Sequence, residues 1–117
     1  MKDKKILIVD DSRSMQGILR DMLEKEGYTN ILTASSGDEA LEAVQKEVPA
    51  IVFLDIIMAG KNGMDVLRVI GKTTPVVVIS AVGQDAIIDE AKKLGAVDYL
   101  VKPINATDLI RIVAQYH

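Results

Sequence analysis

Lys5-Ile6-Leu7-Ile8-Val9-Asp10-Asp11-Ser12 is the stretch on which the fold class turns. Its apolar residues form an unbroken run, which is the pattern of a strand buried on both faces rather than one. Two carboxylates then stop the run abruptly. The following segment changes period. Over residues 13–26, Met15, Ile18, Leu19, Met22 and Leu23 fall on one helical face, and Gly27 ends the helix. A strand followed by a helix is the repeating half of a parallel sheet, because parallel strands need a long crossover between them.

The same alternation continues to the end of the chain. Ile31-Leu32-Thr33-Ala34 reads as a second strand. Ser36-Gly37-Asp38-Glu39 has the form of a capping box, and its helix carries Ala40, Leu41, Val44 and Val48 before Pro49 breaks it. Ala50-Ile51-Val52-Phe53-Leu54 is the third strand. Asn62 can cap a helix bearing Val66, Leu67 and Ile70. Pro75 opens a fourth strand, Val76-Val77-Val78-Ile79, and residues 85–94 form a helix closed by Gly95. Tyr99-Leu100-Val101 is the fifth strand. Leu109, Ile112, Val113 and Tyr116 line a final helix that Asn105 can cap. Five βα units without linker, repeat or low-complexity segment predict one α/β domain over residues 1–117, a parallel sheet covered on both faces. Right-handed crossovers restrict it to a doubly wound or Rossmann-like sheet.

Composition agrees and narrows the function. The chain has 117 residues, 49% of them hydrophobic, enough for a self-supporting core and too apolar for disorder. It has no cysteine, so neither a disulfide nor a thiolate metal site can form. The charged start, Met1-Lys2-Asp3-Lys4-Lys5, leads into an apolar run too short for a signal peptide or membrane span, so a soluble, cytoplasmic protein with no membrane partner is expected. The net charge of −3 is interspersed, with no basic run and no stacking platform among Tyr28, Phe53, Tyr99 and Tyr116. Direct nucleic-acid binding is therefore not expected.

Ligands of such sheets bind outside the carboxyl ends of the strands, and those ends carry chemistry here. Strand one ends in Asp10-Asp11, strand three in Asp55, strand four in Ser80, and strand five in Lys102-Pro103. Any one of these aspartates would be an ordinary turn former or cap. Five polar groups at the same end of four strands are not explained that way. Neighbouring carboxylates repel, and a hard divalent cation relieves the repulsion. Mg²⁺ suits one or two carboxylates together with phosphate oxygens. Lys102 supplies a point charge and Ser80 a hydroxyl donor for a phosphoryl group, and an aspartate can itself be the nucleophile that takes it. The residues point to a Mg²⁺-dependent aspartyl-phosphate site.

Ile6-Leu7-Ile8-Val9-Asp10-Asp11-Ser12, Leu54-Asp55-Ile56-Ile57-Met58, Ile79-Ser80-Ala81 and Gly95-Ala96-Val97-Asp98-Tyr99-Leu100-Val101-Lys102-Pro103 resemble, in order and spacing, the signature segments of response-regulator receiver domains. The resemblance covers essentially the whole chain. Ser80-Ala81-Val82-Gly83-Gln84 looks most like the chemotaxis-type, CheY-like members. The resemblance implies the five-stranded flavodoxin-like fold with strand order 2-1-3-4-5. It implies that Asp55 is the phosphoacceptor, and that Asp10, Asp11 and Asp55 hold Mg²⁺ together with the carbonyl of Ile57. It makes Lys102 the phosphate-binding lysine, joined to Pro103 by a cis bond. Ser80 and Tyr99 become the switch pair, and Ala81 and Ile57 border the bound groups. The implied partners are a histidine kinase or phosphotransfer domain on one side and, on the other, a downstream protein or an effector domain not in this sequence. Signalling is implied through helix four, strand five and helix five.

One departure stands out. Where the family usually has proline after the Asp-x-x-Met stretch, this chain has Ala59, followed by Gly60-Lys61-Asn62-Gly63. Two further positions, Ile57 and Val82, match the entrance for the water that attacks the aspartyl phosphate, and neither can hydrogen-bond it. Lys92 and Lys93 read as a solvated helix face, although family members dock partners there. Met58 and Met64 read as packing residues, Gly37, Gly83 and Gly95 as turn and cap residues, and His117 is given no role. Alternative functions fit less well. A pseudo-receiver that only binds partners would not need the intact Asp10, Asp11, Asp55, Ser80 and Lys102. An aspartyl-phosphate hydrolase would show Asp-x-Asp and a cap-sized insertion. A flavin-binding protein would need a Ser/Thr/Gly-rich loop where Asp11-Ser12-Arg13-Ser14 stands.

Overall fold

The structure is a computed structural model and describes residues 2–57 and 63–116. The expectations for Asn62 as a cap, for Met58, for the loop at Ala59 and for His117 fall outside the described residues. The elements alternate strictly: β1 (Ile6–Val9), α1 (Arg13–Lys25), β2 (Ile31–Ala34), α2 (Gly37–Glu47), β3 (Ile51–Asp55), α3 (Gly63–Ile70), β4 (Val76–Ser80), α4 (Asp85–Lys93), β5 (Asp98–Val101) and α5 (Ala106–Gln115). The sheet is parallel throughout, in the order β2-β1-β3-β4-β5.

The unbroken apolar runs have a simple cause. Successive strand residues face opposite sides, so each run feeds two cores. Ile6, Ile8, Ile51, Phe53, Val77 and Ile79 pack with Leu19 and Leu23 of α1 and Leu109, Ile112 and Val113 of α5. Their neighbours Leu7, Val9, Val52, Leu54, Val76 and Val78 pack on the other side with Ala40 of α2, Val66, Leu67 and Ile70 of α3, and Ala91 of α4. Met64 packs against this second core, as expected.

Helix ends largely follow the sequence. Asn105 Oδ1 accepts from the N–H of Thr107 at 2.7 Å and from that of Asp108, and Ser36 Oγ accepts from Glu39 N–H at 3.2 Å. The capping box is displaced by one residue, because Glu39 Oε1 accepts from Ser35 N–H and not from that of Ser36. Gly37, expected in a turn or cap, is the first residue of α2. Gly95, at φ 112°, closes α4 as expected; a Cβ there would lie 2.4 Å from the carbonyl oxygen of Gly71.

Three expectations need correcting. Ile18, expected on the buried face of α1, is 48% exposed, and Gln16 is buried instead. Residues 16, 19 and 23 form the inner stripe, and Met15 and Met22 flank it, partly buried against the same core as expected. Val48 is not carried by α2. It sits past the helix end at φ 47°, 76% exposed, because the following Pro49 disfavours the helical region for its predecessor. Tyr116 likewise lies one residue beyond α5, although it still packs against the core.

Candidate functional site

The sheet order places the carboxyl ends of β1, β3, β4 and β5 side by side, and Asp10, Asp11, Asp55, Ser80 and Lys102 all lie at that edge. Asp55 and Ser80 are the last residues of β3 and β4, whereas Asp10 and Lys102 are the first beyond β1 and β5. Asp10 is 1% exposed, Ser80 2% and Asp55 5%. Carboxylate oxygens of Asp10, Asp11 and Asp55 lie within 4.8 Å of one another. Lys102 Nζ sits 3.2 Å from Asp55 Oδ2, and the other Asp55 oxygen accepts from Ile57 N–H at 3.1 Å. Lys102-Pro103 is cis.

The β1–α1 turn is built to hold Asp10 in place. Its Oδ1 accepts from Ser12 N–H at 2.8 Å. Buried Gln16 donates Nε2 to the Asp10 carbonyl at 2.7 Å, and also to Ala34 O and Ser35 Oγ. Sequence reasoning missed Gln16; its three- and seven-residue spacing to Leu19 and Leu23 was the available signal. Burial raises the pKa of Asp10 above the ordinary carboxylate value. The Ser12 N–H opposes the rise, Asp55 adds to it, Lys102 opposes it, and Asp11 adds a little.

Two buried atoms have no hydrogen-bond partner among the described residues: Asp10 Oδ2 and Ser80 Oγ. Such atoms are uncommon, and each asks for an explanation. They belong to residues at the ends of β1 and β4, the two strands flanking β3. An anionic oxygen with no donor, next to two more carboxylates, fits a hard cation that takes oxygen ligands. A hydroxyl with nothing to donate to fits an incoming oxygen ligand. The remaining predicted residues lie further out. Tyr99 is exposed, with Lys92 Nζ 5.1 Å from its ring centroid. Ile57 and Val82 are exposed. The Ala81 N–H is engaged by Gln84 Oε1.

The family model described as "Response regulator receiver domain" matches residues 6–114. The chain belongs to the response regulator receiver family. Among curated relatives of this receiver domain, the chemotaxis protein CheY of Thermotoga maritima is 40% identical over 110 residues, covering 92% of each chain. Sporulation initiation phosphotransferase F of Bacillus subtilis is 35% identical, over 99% of this chain and 95% of its own. The transcriptional regulatory protein CpxR of Escherichia coli is 38% identical over 91% of this chain, but the match spans only 46% of CpxR. Among solved structures, the receiver domain of NtrX from Brucella abortus superposes with a TM-score of 0.88 at 34% identity, covering 95% of this chain and 96% of its own. The chemotaxis protein CheY4 of Vibrio cholerae gives 0.89 at 28%, covering 98% and 99%. Receiver domains are switches of two-component signalling that interact with histidine kinases and downstream effectors, and they generally bind Mg²⁺ at an acidic pocket. No described helix is long and apolar enough to cross a membrane.

Proposed function

We propose that this receiver domain takes a phosphoryl group onto Asp55 from the phosphohistidine of a kinase or phosphotransfer domain, and that the phosphorylated state alters partner binding through α4, β5 and α5. An oxygen of Asp55 forms the new bond to phosphorus, the bond from phosphorus to the histidine nitrogen breaks, and the imidazole takes up a proton. Asp10, Asp11 and Asp55, with the carbonyl of Ile57, would hold Mg²⁺. When bound, the cation offsets the repulsion among the carboxylates and the negative charge of the phosphoryl oxygens.

The chain's own groups do the positioning. Lys102 pairs with Asp55 before transfer and can donate to a phosphoryl oxygen afterwards. Ser80 contributes its hydroxyl and Ala81 its N–H. The observation that carries the reading is the pair of buried, partnerless atoms, Asp10 Oδ2 and Ser80 Oγ, at the ends of the strands flanking the one that bears Asp55. The intact acidic set and Lys102 weigh against a pseudo-receiver that only binds partners. Residues 1–117 then form one receiver domain, in a protein of the CheY kind or joined to an effector as in the longer CpxR.

Incubation with acetyl phosphate tests this directly. Mass spectrometry should detect one added phosphoryl group in the presence of Mg²⁺ and almost none in EDTA, and Asp55→Asn should remove it. Equal labelling of Asp55→Asn, or labelling indifferent to Mg²⁺, would overturn the assignment.

A further inference from the structure

Gln84 makes a contact that its place in the fold does not require. It stands at the N-cap position of α4, yet its side chain gives that helix no capping bond. It turns back towards β4 instead, and its Oε1 accepts from the N–H of Ala81 at 2.6 Å. Gly83, at φ 90°, supplies the left-handed turn that lets the side chain fold back across the loop. Ala81 directly follows Ser80, whose buried hydroxyl has no partner among the described residues. The amide that Gln84 occupies therefore lies at the same edge as an unused donor.

We infer that Gln84 is a positioning residue for phosphoryl transfer, holding the Ala81 amide until a phosphoryl oxygen displaces it. The inference rests on the reading above that Ala81 N–H donates to the phosphoryl group. The direction of exchange follows from charge. A neutral amide carbonyl is a weaker acceptor than an anionic phosphoryl oxygen, whose hydrogen bonds are roughly twice as strong. The exchange also has a mechanical consequence. The Gln84–Ala81 bond ties the start of α4 to the end of β4, and no side-chain cap replaces it. Filling the site therefore releases the N-terminus of α4, which links an event at Asp55 to a helix of the proposed output face.

Beryllium fluoride, which mimics the aspartyl phosphate, tests this on the full chain in saturating Mg²⁺. Amide shifts give the affinity, and hydrogen exchange at Ala81 reports the free protein. Gln84→Ala leaves the amide to water, so Ala81 should exchange faster and beryllium fluoride should bind about three- to tenfold more tightly, the size of one net intramolecular hydrogen bond. Gln84→Glu keeps an acceptor and adds a negative charge, so binding should weaken by about tenfold. A residue serving only the stability of the loop would weaken binding when truncated and would not drive the two variants in opposite directions. If wild type binds no beryllium fluoride in Mg²⁺, the phosphoryl-site reading fails and this inference fails with it. If wild type binds but Gln84→Ala binds equally or less tightly, or Gln84→Glu binds as well as wild type, the inference alone is overturned.

Discussion

Asp10 is almost wholly out of water and faces two other carboxylates, so its charge is costly before any cation arrives. Burial, chiefly, raises its pKa in the folded chain. The sign of the consequence is fixed by linkage. The folded state holds the proton more tightly than the unfolded state, so stability is greatest below the unfolded pKa and declines as pH rises through the raised folded value. At neutral pH without divalent cation, ionised Asp10 works against the fold. Asp10→Asn keeps the oxygen that accepts from Ser12 and removes the charge. It should stabilise the protein in EDTA at pH 7 by on the order of 1 kcal/mol, measured by urea denaturation, with the gain shrinking towards pH 4. If the acidic cluster holds Mg²⁺ as proposed, the order should reverse in its presence, because wild type would gain about 2.7 kcal/mol at a hundred times the dissociation constant and the variant would lack one proposed ligand. A variant less stable than wild type in EDTA would refute the argument. The aspartates, Ser80 and Lys102 were legible in the sequence because each interrupts an apolar run at the same relative position. Gln16 and Gln84 were not. A neutral amide marks neither a run's end nor a charge pattern, and its effect depends on where the loop turns it.

Element boundaries were legible where a side chain decides them and less so where the backbone does. Ser36, Asn105 and Gly95 act at the ends that their chemistry predicts. The end of α2 does not follow from composition, since Val48 continues the apolar spacing of Ala40, Leu41 and Val44. Pro49 overrides that spacing, and the cost falls on Val48, a β-branched residue held at φ 47° with its side chain in solvent. The left-handed region costs an ordinary residue roughly 1–2 kcal/mol, and asparagine tolerates it better. Nothing is lost from the core by changing so exposed a side chain. Val48→Asn should therefore stabilise the fold by about 0.5–1 kcal/mol and raise the thermal midpoint by a few degrees. A lowered midpoint would show that Val48 makes an apolar contact worth more than its strain.

At the scale of the whole molecule, the strand order offers a route from the proposed phosphorylation site to a distant face. β4 lies between β3, which bears Asp55, and β5, which bears Tyr99; Ser80 pairs with Val101 and Val78 with Tyr99. This adjacency could not be read from apolar runs alone, which leave several doubly wound orders open; it came from the family resemblance and is what the sheet shows. Tyr99 is turned outward, with the Lys92 ammonium of α4 above its ring. An exposed cation–π contact contributes about 0.5–1 kcal/mol, which weights the outward state by roughly two- to fivefold through the Boltzmann factor. Movement of Ser80 towards a phosphoryl group would favour the inward state, and the two biases oppose each other through the same tyrosine. Adding beryllium fluoride and Mg²⁺ should therefore shift amide resonances across residues 83–105, not only around Asp55. Lys92→Ala should move the Tyr99 ring signals of the free protein part of the way towards their beryllium-fluoride-bound positions. By reciprocity it should also tighten beryllium fluoride binding, by no more than the same two- to fivefold. Shifts confined to the neighbourhood of Asp55 would refute propagation through β4 and β5. Propagated shifts with Tyr99 unmoved in Lys92→Ala would leave the switch standing and remove Lys92 from it.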